Sequence, residues 1–338
     1  MNGWRMAIFW MAILVCSMSL TACSATVVEN TSNGDRPQLI FQGNPPEWAH
    51  TATSIMTELE QWRGLPFQED LQVTFQPPQE PGLNGWYDSE TKQLVVTVTD
   101  SEPLGRGVLL HEMFHALQDR NFDLYQLKRQ SAAHPDYEQA VSAIIEGEAM
   151  LAVSELMNYD FLAHAKLPAE GEVSAEFFEK VFLYGAGMKF ILAVRDAGGW
   201  EAVDAVFRDP PRATSLIFQP DRYLAGEREV QPTAPSLRAS ETLQSQTVRG
   251  AYQVQLLLAR QAETRPLLGR AAEGYVADTL NILKDSAGET KHQWAIEFSN
   301  AKVAADLVSG LTTALARDER LAILPSVSVA GNAIVAEW

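Results

Sequence analysis

Cysteine is almost absent from this sequence, and the few cysteines lie at one end of it. The only two, Cys16 and Cys23, fall within the first 23 residues. The remainder of the chain can therefore form neither a disulfide framework nor a cysteine-ligated zinc cluster. A metal ion in that part would have to be held by histidine, aspartate or glutamate side chains.

Positive charge is also scarce. The chain has 26 lysines and arginines against 43 aspartates and glutamates, a formal net charge of −17. Arg5 is the only charged residue among the first 23, so a chain lacking them would carry −18. A surface with this charge repels phosphate backbones, and we therefore expect no nucleic-acid partner.

The longest hydrophobic run, residues 6–20, is shorter than the roughly 20 apolar residues that span a membrane. Arg5 precedes the run and small residues follow it, which is typical of a signal peptide over residues 1–23. The polar residues 24–38 have no apolar periodicity and are expected to form a tether.

The motif LTAC, which ends at Cys23, resembles the lipobox of bacterial lipoproteins. This resemblance implies that Cys23 becomes the lipidated first residue of the mature chain. The protein would then be extracytoplasmic and anchored to a bacterial cell membrane through its N-terminal lipid. The alternatives are an ordinary secretory cleavage with Cys23 incidental, or an uncleaved anchor.

Hydrophobic periodicity predicts an α+β fold in two parts, residues 39–235 and residues 236–338. The first part should hold a small sheet packed on two long helices, with further helices below it. The second should be a small α+β unit. Helices are predicted at residues 46–64, 103–121, 136–161, 175–199, 199–212, 248–261 and 300–317; strands or β-rich runs are predicted at residues 71–76, 92–100, 274–283, 291–299, 320–327 and 332–338.

The predicted helix 103–121 carries HEMFH, with His111 and His115 four residues apart around Glu112. Residues i and i+4 share one helix face, so the two imidazoles can converge on one zinc ion. Glu112 lies about 100° round the helix from His111, where its carboxylate can act as a general base on a metal-activated water. A helix with incidental polar residues is the alternative.

A catalytic zinc needs a third protein ligand. Glu146 and Glu148 are two residues apart, so on a helix they point in different directions and only one can face the metal. We favour Glu146, because Gly147 beside it would let its helix approach the histidine helix closely, and keep Glu148 as the alternative. The downstream candidates are His134, Glu138, Glu146, Glu148, Glu155 and His164.

HEMFHALQD followed by EGEA resembles the gluzincin class of zinc metallopeptidases, whose third ligand is a glutamate on the next long helix. Over residues 85–298 the chain resembles more closely a family of predicted bacterial and archaeal metallopeptidases. The resemblance implies a zincin-like domain in which His111, His115 and Glu146 bind Zn²⁺ and Glu112 is the base. The family has a histidine where this chain has Gln219, so this member would be slow or altered unless the loop is structural.

Other residues are candidates for supporting roles. Tyr184 and Tyr223 could donate hydrogen bonds to a developing oxyanion, although each could equally be a core or rim tyrosine. Asp119, one turn beyond His115, could orient a ligand histidine or could be solvated. The strand QLVVTV could be a sheet edge that binds an extended peptide, or an interior strand.

The sequence therefore predicts a lipid-anchored zinc metallopeptidase that acts on a peptide or protein substrate. Two alternatives stay open. One is a catalytically weak or inactive zinc-binding envelope lipoprotein that works in binding or assembly. The other is a zinc hydrolase acting on a different amide or ester.

Overall fold

The computed structural model describes residues 37–43, 45–77, 84–97, 102–232, 237–321 and 323–338. Cys23, the expected signal peptide and nearly all of the expected tether lie outside these residues. The chain is of mixed α+β class, with two small sheets among its helices. Within the described ranges, no helix combines the length and the apolar character needed to cross a membrane.

The described residues group into two compact units. The first comprises the described residues up to Gln126 together with Ala149–Asp160, and the second comprises Leu127–Glu148 and the described residues from Phe161 onward. This grouping follows boundaries other than the division predicted between residues 235 and 236, a position that itself lies outside the described residues.

The first unit contains a four-stranded sheet in the order β1-β2-β4-β3. β1, β2 and β4 are parallel to one another, and β3 pairs antiparallel with β4. The suggestion that QLVVTV is a sheet edge is wrong, because this strand is β4 and lies between β2 and β3. β3 is the edge instead. The strands are β1 Leu39–Gly43, β2 Leu71–Gln76, β3 Gly85–Asp88 and β4 Gln93–Thr97.

Helices of the first unit pack their apolar residues against this sheet and each other. The predicted helix 46–64 is confirmed as a 3₁₀ turn followed by α1, and the predicted helix 103–121 is confirmed as α2. The middle of α2, from Gly107 to Asp119, is buried throughout, as expected for a helix covered on all sides. The elements are the 3₁₀ turn Glu47–Thr51, α1 Ala52–Arg63, α2 Glu102–Phe122 and α3 Leu124–Ser131.

The next long helix, α4, spans Pro135–Leu156 and confirms the helix predicted over residues 136–161, although it ends earlier. Its last turns belong to the first unit, where Trp62 Nε1 donates a 2.8 Å hydrogen bond to Glu155 Oε2. Its earlier turns belong to the second unit.

The helices predicted at 175–199 and 199–212 are observed as a nearly continuous run. A π-helical segment interrupts the first part, and the backbone leaves helical geometry at Gly198 and Gly199. Gly199 has φ 67° and ψ −164°, a conformation that is essentially restricted to glycine. The elements are α5 Phe161–His164, α6 Ala175–Lys180, the π-helix Val181–Ala186, α7 Gly187–Arg208, α8 Thr214–Phe218 and α9 Pro220–Leu224.

The C-terminal part of the second unit is an antiparallel sheet in the order β5-β6-β7-β9-β8. Trp294 and Ile296 share a hydrophobic core with Leu307 and Leu311 of the last helix. The β-rich run predicted at 320–327 becomes a strand only from Ser326. The elements are β5 Thr242–Thr247, α10 Gly250–Arg260, the 3₁₀ turn Arg265–Leu267, α11 Leu268–Gly274, β6 Tyr275–Lys284, β7 Thr290–Phe298, α12 Ala301–Ala316, β8 Ser326–Ala330 and β9 Ala333–Glu337.

Two buried carboxylates flank the start of α10. Asp278 accepts hydrogen bonds from Gly250 N at 2.8 Å and from Trp294 Nε1 at 2.5 Å. Asp136 accepts from Thr214 Oγ1 at 2.5 Å and from Thr214 N at 3.2 Å. Burial raises the pKa of Asp136 to about 7, and the nearby charge of Asp278 also raises it, against the lowering effect of Thr214.

Candidate metal centre

Helix α2 brings the two histidines of HEMFH together. His111 Nε2 and His115 Nε2 lie 2.9 Å apart, and the rings meet edge to face with centroids separated by 4.5 Å. Both side chains are buried, with 2% and 8% of their surface exposed. This pairing follows from the four-residue spacing on a regular helix, and the predicted convergence of the two imidazoles is confirmed.

Glu146 of α4 completes a group of three potential metal ligands. One ligand atom each from His111, His115 and Glu146 lie within 4.8 Å of one another, and all three residues are buried. Glu148 is fully buried but does not belong to this group. Of the two glutamates left open by the sequence, Glu146 is therefore the one placed to bind a metal with the histidines.

The three side chains fit a divalent ion such as zinc. With ligand bonds of about 2.0–2.2 Å, tetrahedral geometry puts ligand atoms about 3.3–3.6 Å apart. The Nε2 atoms, at 2.9 Å, would need to separate by only a few tenths of an ångström to reach it. Two imidazoles and one carboxylate also form the donor set of many catalytic zinc sites, which leave a further position open.

Glu112 follows the first histidine and packs against the edge strand. It is 3% exposed. A methyl group placed on Gly85 of β3 would lie 3.2 Å from Glu112 Cγ and 2.6 Å from Val108 Cγ1. Strand β3 can therefore approach α2 this closely only because residue 85 is a glycine and has no side chain. The Glu112 side chain lies next to this glycine.

The role predicted for Gly147 is corrected by its contacts. A Cβ atom there would lie 2.2 Å from the carbonyl carbon of Gly187, and one on Gly187 would lie 2.0 Å from Ala143 O. Gly147 thus permits a close crossing of α4 with α7, not with the histidine helix. The glycine does allow a close helix contact beside Glu146, but its partner is a later element of the chain.

Gln118 is a residue of the site that the sequence reasoning missed. Its Oε1 lies 2.9 Å from His115 Nδ1. Since an amide oxygen only accepts hydrogen bonds, Nδ1 carries the proton and the lone pair of His115 is left on Nε2, the nitrogen that faces the other ligands. Its position three residues after His115 on the same helix was the available signal.

Asp119 has partners other than those expected. Its carboxylate accepts hydrogen bonds from Tyr87 OH at 2.7 Å, from Lys92 Nζ at 2.6 Å and from Leu124 N at 2.9 Å. The expectation that Asp119 orients a ligand histidine is therefore corrected, because all three of these bonds lead to the β3–β4 hairpin and to the start of α3. Gln118 makes the contact with the histidine ring.

The two tyrosines that were predicted as possible hydrogen-bond donors, Tyr184 and Tyr223, lie in different surroundings. Tyr223 OH donates a 2.8 Å hydrogen bond to Asp209 O, and the Arg228 guanidinium lies 4.0 Å from the centre of its ring. Its hydroxyl is therefore engaged in holding the turn after α7. Tyr184 is buried in the π-helix immediately before Gly187, and π-helical segments are common at functional sites. Its role as a donor stays a prediction.

Gln219 has a structural role in the second unit. Its Nε2 donates hydrogen bonds to Ala272 O at 2.8 Å and Tyr275 O at 3.0 Å. These bonds join the loop before α9 to the junction between α11 and β6. They favour the interpretation that this loop is structural.

No protein-family model, curated protein or solved structure matches the chain in comparisons of sequence and fold. The candidate metal centre therefore rests on the geometry of its own residues.

Proposed function

We propose that this protein is a zinc-dependent peptidase with a zincin-like catalytic domain, in which His111, His115 and Glu146 hold the metal and Glu112 is the general base. One observation carries the proposal. His111, His115 and Glu146 form a buried group of potential metal ligands. Glu112, a second buried glutamate, lies between the two histidines in the sequence. A purely structural metal site would have no need of Glu112 at that position.

The chemistry divides between metal and protein. Zinc, when bound, would polarise the peptide carbonyl and lower the pKa of an attacking water. Glu112 would take a proton from that water and pass it to the leaving amine as the carbon–nitrogen bond breaks. The Glu112 side chain is buried beside Gly85, and this burial would limit competing solvent.

The edge strand β3 offers a place for the substrate. Among the strands that the structure describes, β3 is the last in the order of its sheet, and β4 is its one strand neighbour. An extended peptide can bind such an edge by main-chain hydrogen bonds. Because Gly85 of this strand lies against Glu112, a peptide bound along β3 would pass next to the proposed base.

The test uses the full-length protein and three matched variants. Metal content is measured by mass spectrometry, and cleavage is measured on a broad peptide mixture. Glu112→Gln should retain zinc and lose nearly all cleavage, whereas Glu146→Gln should lose zinc. Glu148→Gln is the control for a buried glutamate outside the ligand group, and it should retain zinc.

Two results would contradict the proposal. Absence of zinc from the folded wild-type protein would remove its basis. Zinc without peptide cleavage would instead favour a binding or assembly protein, or a zinc hydrolase of another amide or ester. Anchoring through Cys23 is a separate proposal, which mass spectrometry of the N-terminal peptide would test by the presence or absence of a lipid.

A further inference from the structure

The Asp119 carboxylate joins the edge strand to the histidine helix. The side chain is completely buried, whereas its partner Lys92 is 37% exposed and reaches inward to it. One oxygen accepts from both Tyr87 and Lys92, and the other accepts from the backbone of Leu124. A buried carboxylate with three donors is strongly held, so the hairpin is fastened to α2 at this point.

The backbone of Lys92 gives an independent sign that its side chain matters. Lys92 has φ 60°, in the left-handed region. That region disfavours residues with a Cβ atom and favours glycine or asparagine. The turn itself is already stabilised by Asp88 Oδ1, which accepts from Glu90 N at 2.8 Å and Thr91 N at 3.1 Å. A lysine at this position is explained by its ion pair with Asp119.

The edge strand is attached to α2 at two points on one face. Gly85 and Tyr87 are both buried and alternate with half-buried neighbours. Gly85 lies against Glu112, and the Tyr87 hydroxyl binds Asp119 two turns further along α2. Burial and the neighbouring Asp119 raise the pKa of Tyr87 above its ordinary value, so the phenol stays protonated and remains a donor.

We propose that Asp119 is a positioning residue for peptide cleavage: through Tyr87 and Lys92 it fixes β3 beside Glu112, so that this edge strand can hold an extended polypeptide segment as substrate. The inference rests on the proposed function. The Asp119 carboxylate acts through the hairpin, since its hydrogen bonds go to Tyr87, Lys92 and Leu124. Its loss should therefore weaken the binding of long substrates without removing zinc.

The experiment compares Asp119→Asn, Tyr87→Phe and Lys92→Gly in the full-length protein. Tyr125→Phe is the control for loss of a tyrosine hydroxyl, since Tyr125 OH bonds the exposed Glu90 at 3.2 Å. Asn158→Gly is the control for relief of a left-handed backbone, since Asn158 has φ 50°. Readouts are zinc content, amide exchange of Gly85–Asp88, and kcat and KM for long and short peptides.

We expect each of the three variants to retain zinc and to raise exchange in β3 about five- to tenfold, the effect of losing one net hydrogen bond. KM for long peptides should rise by a similar factor, while kcat/KM for peptides too short to pair along β3 should change little. Lys92→Gly should show these effects although it relieves the backbone. The two control variants should show neither.

Unchanged β3 exchange in Tyr87→Phe and Lys92→Gly would overturn the proposal, even if Asp119→Asn does not fold. Equal losses for long and short peptides would also overturn it, because they would indicate a general structural defect. Amide exchange needs no turnover. If wild-type protein binds zinc but cleaves nothing, the proposed function fails while faster β3 exchange still shows that Asp119 holds the strand.

Discussion

Gln118 Oε1 lies 2.9 Å from Nδ1 of the candidate metal ligand His115, and Gln118 is about one turn further along the same helix. The bond fixes both the ring orientation of His115 and the nitrogen that carries its proton. Such supports commonly contribute 10–100-fold to metal affinity, as an order of magnitude. The contact is local to α2, so a change there should act on the ligand and not on the wider fold.

Replacing Gln118 with leucine should lower zinc affinity by about ten- to hundredfold, because the ring loses its orienting acceptor. Competition with a chromophoric chelator measures the affinity. Gln118→Glu keeps an oxygen acceptor and should bind zinc at least as well as Gln118→Leu. Wild-type affinity in Gln118→Leu would show that the helix alone orients the ring.

Gly147→Ala should destabilise the protein by about 1–3 kcal/mol, because an added methyl overlaps the backbone of Gly187 and must push α4 away from α7. Urea unfolding measures the loss. Gly269→Ala is the matched control, since that helical glycine has open space around it and alanine favours helix. Equal stability of the two variants would contradict the tight crossing.

Gly85→Ala should reduce kcat more than it reduces zinc content. The added methyl would lie 2.6 Å from Val108 Cγ1 and 3.2 Å from Glu112 Cγ, so the strand or the side chain of the proposed base Glu112 must move. Misplacement of a base by about 1 Å can cost on the order of a hundredfold in rate. The measurement is kcat on the zinc-loaded variant, and an unchanged kcat would show that Glu112 tolerates the shift.

The stability of the protein should fall as pH rises from about 4 to about 7, through Asp136. Its folded-state pKa is raised to about 7 from 3.8, so the folded state binds this proton more tightly than the unfolded state. The resulting stabilisation is complete below the unfolded pKa and is lost as pH rises through the folded one. Asp136→Asn should flatten this slope.

Urea unfolding at pH 4.5, 6 and 7.5, roughly spanning this window, measures the slope. Asp196→Asn is the control for an exposed aspartate, and it should leave the wild-type slope in place. A slope that survives in Asp136→Asn would assign the effect to other groups.

The local elements could be predicted from the sequence because their signals lie within a few residues. The spacing of HEMFH was enough to predict the pairing of His111 and His115, and the angle between positions two apart on a helix showed that only one of Glu146 and Glu148 could face them. The reason for favouring Glu146, a close approach of Gly147 to the histidine helix, was wrong, because Gly147 packs against Gly187. The two long helices followed from periodicity in the same way.

Sheet order and side-chain partners could not be predicted as well, because they depend on residues distant in the chain. The interior position of β4 follows from pairing with β2, although its nearly continuous burial is typical of an interior strand. The presence of Gly147 indicated a close helix contact, but the sequence did not show that the partner in this contact is Gly187. Asp119 was predicted as a candidate for a supporting role, but its hydrogen bonds to Tyr87 and Lys92 could not be predicted from the sequence of its own helix.

The edge strand β3, its turn, β4 and the histidine helix all lie within the short segment Gly85–Phe122. Few residues separate the parts that meet, so forming this segment closes only short loops and costs little chain entropy. The parallel strands β1 and β2 require longer crossovers. The strand that lies beside Glu112 should therefore join its helix early in folding, before the rest of its sheet assembles around it.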